Sequence, residues 1–223
     1  MLTLDVRDNY TLDEVATTLT SLEQAMPSVP LFLSLFWIRP WLELCETLPL
    51  WLTFKDSGQV VGSIFVCSTG YRLPKEPFGS GWFNKTGQPK LDQIWIEYND
   101  ILALPGYRQA AINSLLEWCK NQPQQKWILE ITDKPKEWLQ HPAYSAEISD
   151  IPAFRVNLSG SYADYNRFLS QCSSNSRSRI RRAMKYMQQH YGELSLTSLG
   201  AQPDAVSLSN MMSLHRRKWG DTS

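Results

Sequence analysis

The segment PLWLTFKDSGQVVGSIFVCS, residues 49–68, does most to limit the folds open to this chain. Two runs of alternating apolar and polar residues flank Asp-Ser-Gly, a turn sequence whose glycine supplies a positive φ. The segment predicts an antiparallel β-hairpin, and a hairpin of this kind needs further strands or helices to cover its apolar face. The 223 residues, 43% hydrophobic and 12% aromatic, are enough for such a core and exclude a disordered chain.

The other elements follow from periodicity. LTLDV at residues 2–6 alternates as a short strand. Thr11 is an N-cap candidate before an acidic first turn, and Leu12, Val15, Leu19 and Leu22 follow at helical spacing until Pro27 and Pro30. LFLSLFWIRPWLELC predicts a second helix with Phe32, Leu35, Phe36 and Trp41 on its buried face and a kink at Pro40. Residues 70–92 read as a long surface loop, and LDQIWIEYNDILAL as a strand buried on both faces at Ile-Trp-Ile. PGYRQAAINSLLEWC is a helix that buries Ile112, Leu115, Leu116 and Cys119. KWILEIT is a strand and KEWLQH a short helix. After a break near residue 150, AFRVNL reads as a strand, SYADYNRFLSQC as a helix, and SSNSRSRIRRAMKYM as the start of a longer one. ELSLTSL is then a strand and DAVSLSNMMSLHRRKW a last helix. The order β-α-α-β thus occurs twice, which predicts an internal duplication with a period near 150 residues.

The chain carries no net charge, but residues 1–150 balance at −6 and residues 151–223 at +6. An acidic body with a basic C-terminal segment indicates where an anion would bind. Cys45, Cys67, Cys119 and Cys172 sit singly in apolar surroundings and predict buried free thiols. His141, His190 and His215 show no ligand spacing, so no metal is expected. The N-terminus lacks the pattern of a signal peptide, and the most apolar run is broken by Arg39, Pro40 and Glu43. A soluble cytoplasmic protein without membrane insertion is the expectation.

The basic stretch is the main candidate for a binding function. No acid lies between Asp164 and Glu193. Ser173, Ser174 or Asn175 can cap a helix on which Ile180, Ala183, Met184, Met187 and Tyr191 define a buried stripe. Arg177, Arg181 and Lys185 form an adjoining row, whereas Arg179 and Arg182 are expected to point elsewhere. A solvated face and an anion clamp both fit this pattern. Nucleic-acid binding is not expected, because the row is short and lacks stacking aromatics. Nor is a membrane-surface helix, since the apolar stripe is assigned to the core.

Two long stretches carry a resemblance. FLSLFWIRPWLELC with LPLWLTFKDSGQVVGSIFV, and SYADYNRFLSQCSSNSRSRIRRAMKYMQQHYGELSLTSL with LSNMMSLHRRKW, resemble the CelD/BioF2-like acyltransferases of the GNAT superfamily, relatives of the Fem-type aminoacyl transferases. The resemblance spans about residues 10–219. It implies an α/β (α+β) fold: a mixed, mostly antiparallel sheet flanked by helices in residues 1–150, and the start of a second GNAT-like repeat in residues 151–223. It also implies transfer of an acyl group from acyl-CoA to an amine or hydroxyl of a sugar or cell-envelope precursor. The alternative is a non-catalytic module, on a degenerate GNAT fold, that holds a substrate or a partner.

Residue by residue, ALPGYRQAAINSLLEWC is similar to the GNAT acyl-CoA loop, with Arg108 in the first position and Ala111 and Asn113 where that loop needs small residues. Those side chains are expected to obstruct a pyrophosphate, so the first unit reads as degenerate and the acyl-CoA site as incomplete in a chain ending at WGDTS. The strand bearing Trp95, Glu97, Tyr98, Asn99 and Asp100 matches the one that lines the substrate cleft, which nominates Glu97 and Tyr98 as substrate contacts. Ser-Arg-x-x-Ile-x-x-Ala-x-Lys resembles the Fem-type pattern in which an arginine grips a diphosphate, a role that falls on Arg177, with Arg181 beside it. A catalytic base is not identified. Self-association through the second unit is expected from its apolar helix faces. Tyr162, Tyr165 and Phe168 are expected to face a core.

Overall fold

The hairpin forms as read. Strand β2 (Leu50–Asp56) and strand β3 (Gln59–Thr69) pair antiparallel from Asp56↔Gln59 to Leu50↔Val66. Ser57 and Gly58 make the connection at φ 49° and 84°. A two-residue loop with both residues at positive φ matches the right-handed twist of the strands it joins. The register shifts where Phe54 faces Gly62 and Lys55 faces Val60, so Val61 is the extra residue of a bulge.

The computed structural model describes residues 2–69, 79–92, 96–124, 126–130, 132–139, 148–149, 152, 164–193, 195 and 204–220. Two compact units are present, Met1–Pro152 and Ala153–Ser223.

In the first unit the hairpin nucleates a six-stranded sheet. β1 (Thr3–Arg7) adds antiparallel to β2, and β4 (Ser80–Phe83) and the two-residue β5 (Leu102–Ala103) add antiparallel to β3. β6 (Lys126–Ile128) pairs parallel with β4, and helix α3 (Arg108–Lys120) lies between these two strands in the chain. The fold is therefore mixed α/β, with a mostly antiparallel sheet flanked by helices.

Alternation along the strands splits the core into two layers. Leu52, Phe54, Ile64 and Val66 pack with Ala111, Ile112, Leu115, Leu116 and Cys119 of α3. Trp51 and Phe65 take the opposite face, where α1 (Leu12–Gln24) contributes Val15, Leu19 and Leu22 and α2 (Leu35–Leu44) contributes Ile38, Trp41 and Leu42. Thr11 caps α1 in a full capping box: its hydroxyl accepts from Glu14 N–H, and the Glu14 carboxylate accepts from Thr11 N–H. A short 3₁₀ turn, Leu31–Leu33, precedes α2, and Pro40 is accommodated inside that helix.

Several sequence expectations give way here. Phe36 is exposed, because Ile38, Trp41 and Leu42 set the buried face and Phe36 lies on the far side of the helix. The surface loop expected over residues 70–92 contains β4, whose Ser-Gly-Trp-Phe pairs on both sides. Residues 70–78 of it lie outside the described residues. Of the strand expected over residues 91–104, the described residues hold β5, and the chain turns at Glu97–Tyr98, with Tyr98 at φ 58°. Residues 93–95, Trp95 among them, lie outside the described residues. Short helix α4 (Pro135–Trp138) follows β6.

The second unit holds α5 (Tyr165–Gln171), α6 (Ser174–Tyr191) and α7 (Ala205–Trp219). Asp164, Ser173 and Asp204 cap them by accepting from Asn166, Ser176 and Ser207 N–H. The strands expected at AFRVNL and ELSLTSL, and Tyr162, fall outside the described residues almost entirely, so the duplication remains an expectation. The stripe expected to be buried on α6 is not: Ala183, Met184, Met187 and Tyr191 are exposed and only Ile180 is half-buried. Tyr165 is likewise exposed, and Leu169 is the residue that α5 buries.

Candidate functional site

Two clusters of polar side chains are the candidates for a functional site, one in each unit. In the first unit, β5 leads through Gly106, at φ 85°, into the head of α3. Tyr107 donates its O–H to Asp56 at 2.9 Å, and that bond, with the nearby charge, raises the phenol's pKa. Arg108 opens the helix and turns back onto Asp100, with Nε at 2.7 Å and a second guanidinium nitrogen at 2.6 Å from the same oxygen. The remaining guanidinium nitrogen pairs with Glu137. The other Asp100 oxygen accepts from Ile101 N–H at 2.8 Å and from the Trp138 indole at 3.2 Å. Arg108 therefore ties the head of α3 to the segment just before β5 and to α4.

Ala111 and Asn113 do not line a phosphate loop. Both lie inside α3, Ala111 buried against the sheet and Asn113 exposed, where it accepts from Gln109 at 3.1 Å. The arginine that begins the motif is held by two carboxylates, and the residues after it have become helix.

Asn99 and Asp100 are buried, and a residue the sequence reading passed over holds them. Asn84, at φ 52°, accepts from Phe65 N–H at 3.0 Å and donates to Asn99 Oδ1 and the Asp100 carbonyl, each at 2.9 Å. Asn99 in turn donates to the Phe83 carbonyl at 2.9 Å. These amides satisfy an N–H inside β3 and the last carbonyl of β4, which is a structural task. The signal in the sequence was Asn84 itself, an asparagine directly after an apolar run, the residue type that most readily adopts positive φ after glycine. Next to it, Lys85 is almost buried, pairs with Glu130 and sits 6.0 Å from the Trp82 ring centroid. Glu97 and Tyr98 are exposed at their turn, free of this network and reachable from solvent.

The thiols are free. Cys119 is buried, and Cys45, Cys67 and Cys172 are half-buried rather than fully so. Burial pushes Cys67 up to about 12 and Cys45 up to about 11, with the Asp92 carboxylate adding to both, and burial raises Cys119 as well. Protonated thiols of this kind are poor nucleophiles at neutral pH. Among the described residues no three His, Cys, Asp or Glu side chains gather as a metal site, and no helix is long and apolar enough to cross a membrane.

In the second unit the cationic side of α6 forms a shallow depression of about 430 Å³ lined by Ser174, Arg177, Ser178, Arg181, Arg182 and Lys185. Arg182 belongs to it, contrary to its expected direction, because residues 174, 178 and 182 form a helical row beside residues 177, 181 and 185. Arg181, Arg182 and Lys185 make no ion pair among the described residues, and α5, α6 and α7 contain no acid at all. Arg177 differs from the others. One of its nitrogens donates to the Cys172 carbonyl at 2.6 Å and to the Ser170 carbonyl at 3.3 Å, so it caps the end of α5. It is also partly buried, and it is one of the residues that line the depression.

No family model matches the sequence, and no curated protein matches it. Among solved structures, a ribosomal-protein-alanine N-acetyltransferase from Brucella melitensis biovar Abortus 2308 aligns with 69% of this chain and 99% of its own, at 16% identity and a TM-score of 0.40. An acetyltransferase from Trypanosoma brucei aligns with 70% of this chain and all of its own, at 18% identity and a TM-score of 0.38.

Proposed function

We propose that this protein takes part in GNAT-type acyl transfer from acyl-CoA to an amine or hydroxyl of a sugar or cell-envelope precursor, in the manner of the CelD/BioF2-like proteins. The observation that carries the reading is the strand–glycine–arginine–helix connection from Leu102 to Lys120, set at the edge of a mostly antiparallel sheet. A GNAT unit meets the phosphates of CoA with such a connection. Here Arg108 is taken up by Asp100 and Glu137, so the first unit keeps the frame without the phosphate grip. On the second unit Arg177 and Arg181 of α6 are the candidates for holding an anionic group of a substrate, and on the first unit the solvent-facing Glu97 and Tyr98 are candidates for substrate contact. The chemistry would be direct attack on the thioester, with backbone N–H groups stabilising the oxyanion and a base removing the acceptor's proton.

The locked Arg108 favours one second reading, a binding module that holds the acceptor without turning it over. A thermal-shift screen of the protein against acyl-CoAs and nucleotide sugars, followed by assay of released CoA thiol, separates the two. Saturable acceptor binding with thiol release supports transfer. Acceptor binding without release supports the module, and no binding of either class removes both.

A further inference from the structure

A membrane-surface helix is excluded by the sequence only if α6 buries its apolar stripe, and the stripe is open to solvent. Ile180, Met184, Met187 and Tyr191 recur at i, i+4, i+7 and i+11 and share one side of the helix. Ile180 is half-buried, whereas Met187 is 40% exposed and Tyr191 71%. The cations are ordered around that stripe. At about 3.6 residues per turn, Arg177 and Arg181 fall along one edge of it and Arg179 and His190 along the other. Arg179, Arg181, Arg182 and Lys185 make no ion pair among the described residues. Helix α7 repeats the arrangement. Its exposed Leu208, Met212 and Trp219 share a side, with Arg216 on one edge and Lys218 on the other.

We propose that α6 is an interfacial helix that lies on a membrane surface rich in anionic lipid. Its stripe faces the acyl chains, and the cations on both edges meet the headgroup phosphates. The occupant of this helix has to be anionic and apolar at once, within the width of one helix. A bilayer surface offers both in layers, phosphates at the level of the edges and hydrocarbon beneath the stripe. The arginine stems cover apolar surface while their guanidinium groups reach outward, and a tyrosine at the end of the stripe suits the boundary. A nucleic acid would satisfy the cations and leave Met184 and Met187 in water. A second copy of α6 would bring the same unpaired cations and no acid, so two such stripes repel one another. The helix lies on the surface and does not span it, since no helix among the described residues is long and apolar enough to cross a membrane. This surface stands apart from the acyl-transfer reading, because Arg179 and Met187 lie outside the depression that would hold a substrate anion.

Co-sedimentation of the protein with vesicles of phosphatidylglycerol and phosphatidylcholine in equal parts tests this, against vesicles of phosphatidylcholine alone. Binding to the anionic vesicles that weakens as salt rises is expected, with little binding to the neutral ones. Met187→Glu puts a charge into the stripe and should weaken that binding about tenfold or more. Arg179→Glu, on the edge away from the depression, should weaken it about fivefold or more. The same variant should leave the binding of inorganic phosphate in calorimetry unchanged, which separates this surface from the substrate-anion site. Circular dichroism of each variant checks that the helices are kept. Failure to bind the anionic vesicles overturns the proposal, and so does binding that ignores both substitutions. Tighter binding to duplex DNA than to the vesicles at one salt concentration also overturns it. A dimer that dissociates on Met187→Glu and does not bind vesicles gives the stripe to a second copy and does the same.

Discussion

Arg108 and Asp100 form an ion pair in which both side chains are nearly buried, 16% and 9% exposed, with Nε donating to one carboxylate oxygen at 2.7 Å. A residue that opens a helix after a strand and a glycine would otherwise be free to meet a phosphate. Removing one partner of such a pair strands the other charge away from water, a loss of about 3 kcal/mol. Arg108→Ala is therefore expected to lower unfolding free energy in urea by about that amount. Acetyl-CoA affinity of the isolated chain, expected to be weak, should not change. A cost well under 1 kcal/mol, or a loss of measurable CoA binding, would return the arginine to a ligand role.

Glu14 gives the first unit a pH-dependent element. The Arg7 guanidinium, bonded at 2.7 Å, with the Thr11 N–H and hydroxyl, lowers its carboxyl from about 4.5 to about 2. A depressed acid stabilises the fold above its unfolded pKa and loses that contribution as pH falls through the folded one. The increment is therefore expected to disappear between about pH 4.5 and pH 2. Glu14→Gln should flatten the stability profile in that window, as read by thermal melts at fixed ionic strength. Thr11→Ala, which removes the cap itself, should cost about 1 kcal/mol at neutral pH.

Gly81 lies across from Trp127 in the parallel β4–β6 pair, and the indole covers it. A Cβ at residue 81 would stand 2.2 Å from the ring, while Trp127 also stacks on Phe83 at 5.5 Å. Gly81→Ala must displace the ring and should destabilise by about 1–3 kcal/mol. Combining it with Trp127→Leu should cost less than the two changes taken separately, because the clash is then gone. Strict additivity in denaturant titrations would show that the ring is not held where β4 needs the glycine.

Arg177 and its neighbours on α6 should separate into two behaviours. Its bonds to the Cys172 and Ser170 carbonyls join α5 to α6. Arg177→Ala should thus speed hydrogen exchange in residues 165–172 as well as weaken an anion. Replacing Arg181, Arg182 and Lys185 together by alanine should leave that exchange unchanged and reduce phosphate binding in calorimetry. Equal exchange in both variants would make Arg177 a ligand group only.

What the sequence determined by itself is the set of elements written in neighbouring residues. The DSG turn between alternating runs specifies the hairpin, Thr11 with Glu14 specifies the start of α1, and Ile112, Leu115, Leu116 and Cys119 specify the buried side of α3. In each case the groups that make the interaction are within a few residues, so periodicity or capping suffices. Tertiary structure decided what depends on distant partners. Ser80–Phe83 became a strand because β3 and β6 offer hydrogen bonds on both sides, a condition absent from its own Gly-rich residues. Phe36 faced outward because Ile38 and Trp41 had first claim on the sheet, and helical spacing alone leaves that rotation open. Arg108 matched a ligand-binding motif in sequence, yet Asp100, Glu137 and the start of α3 converge on it only once β5 and α4 are in place. An arginine's role is set by which anion reaches it at least cost in desolvation, and that is a property of the folded chain.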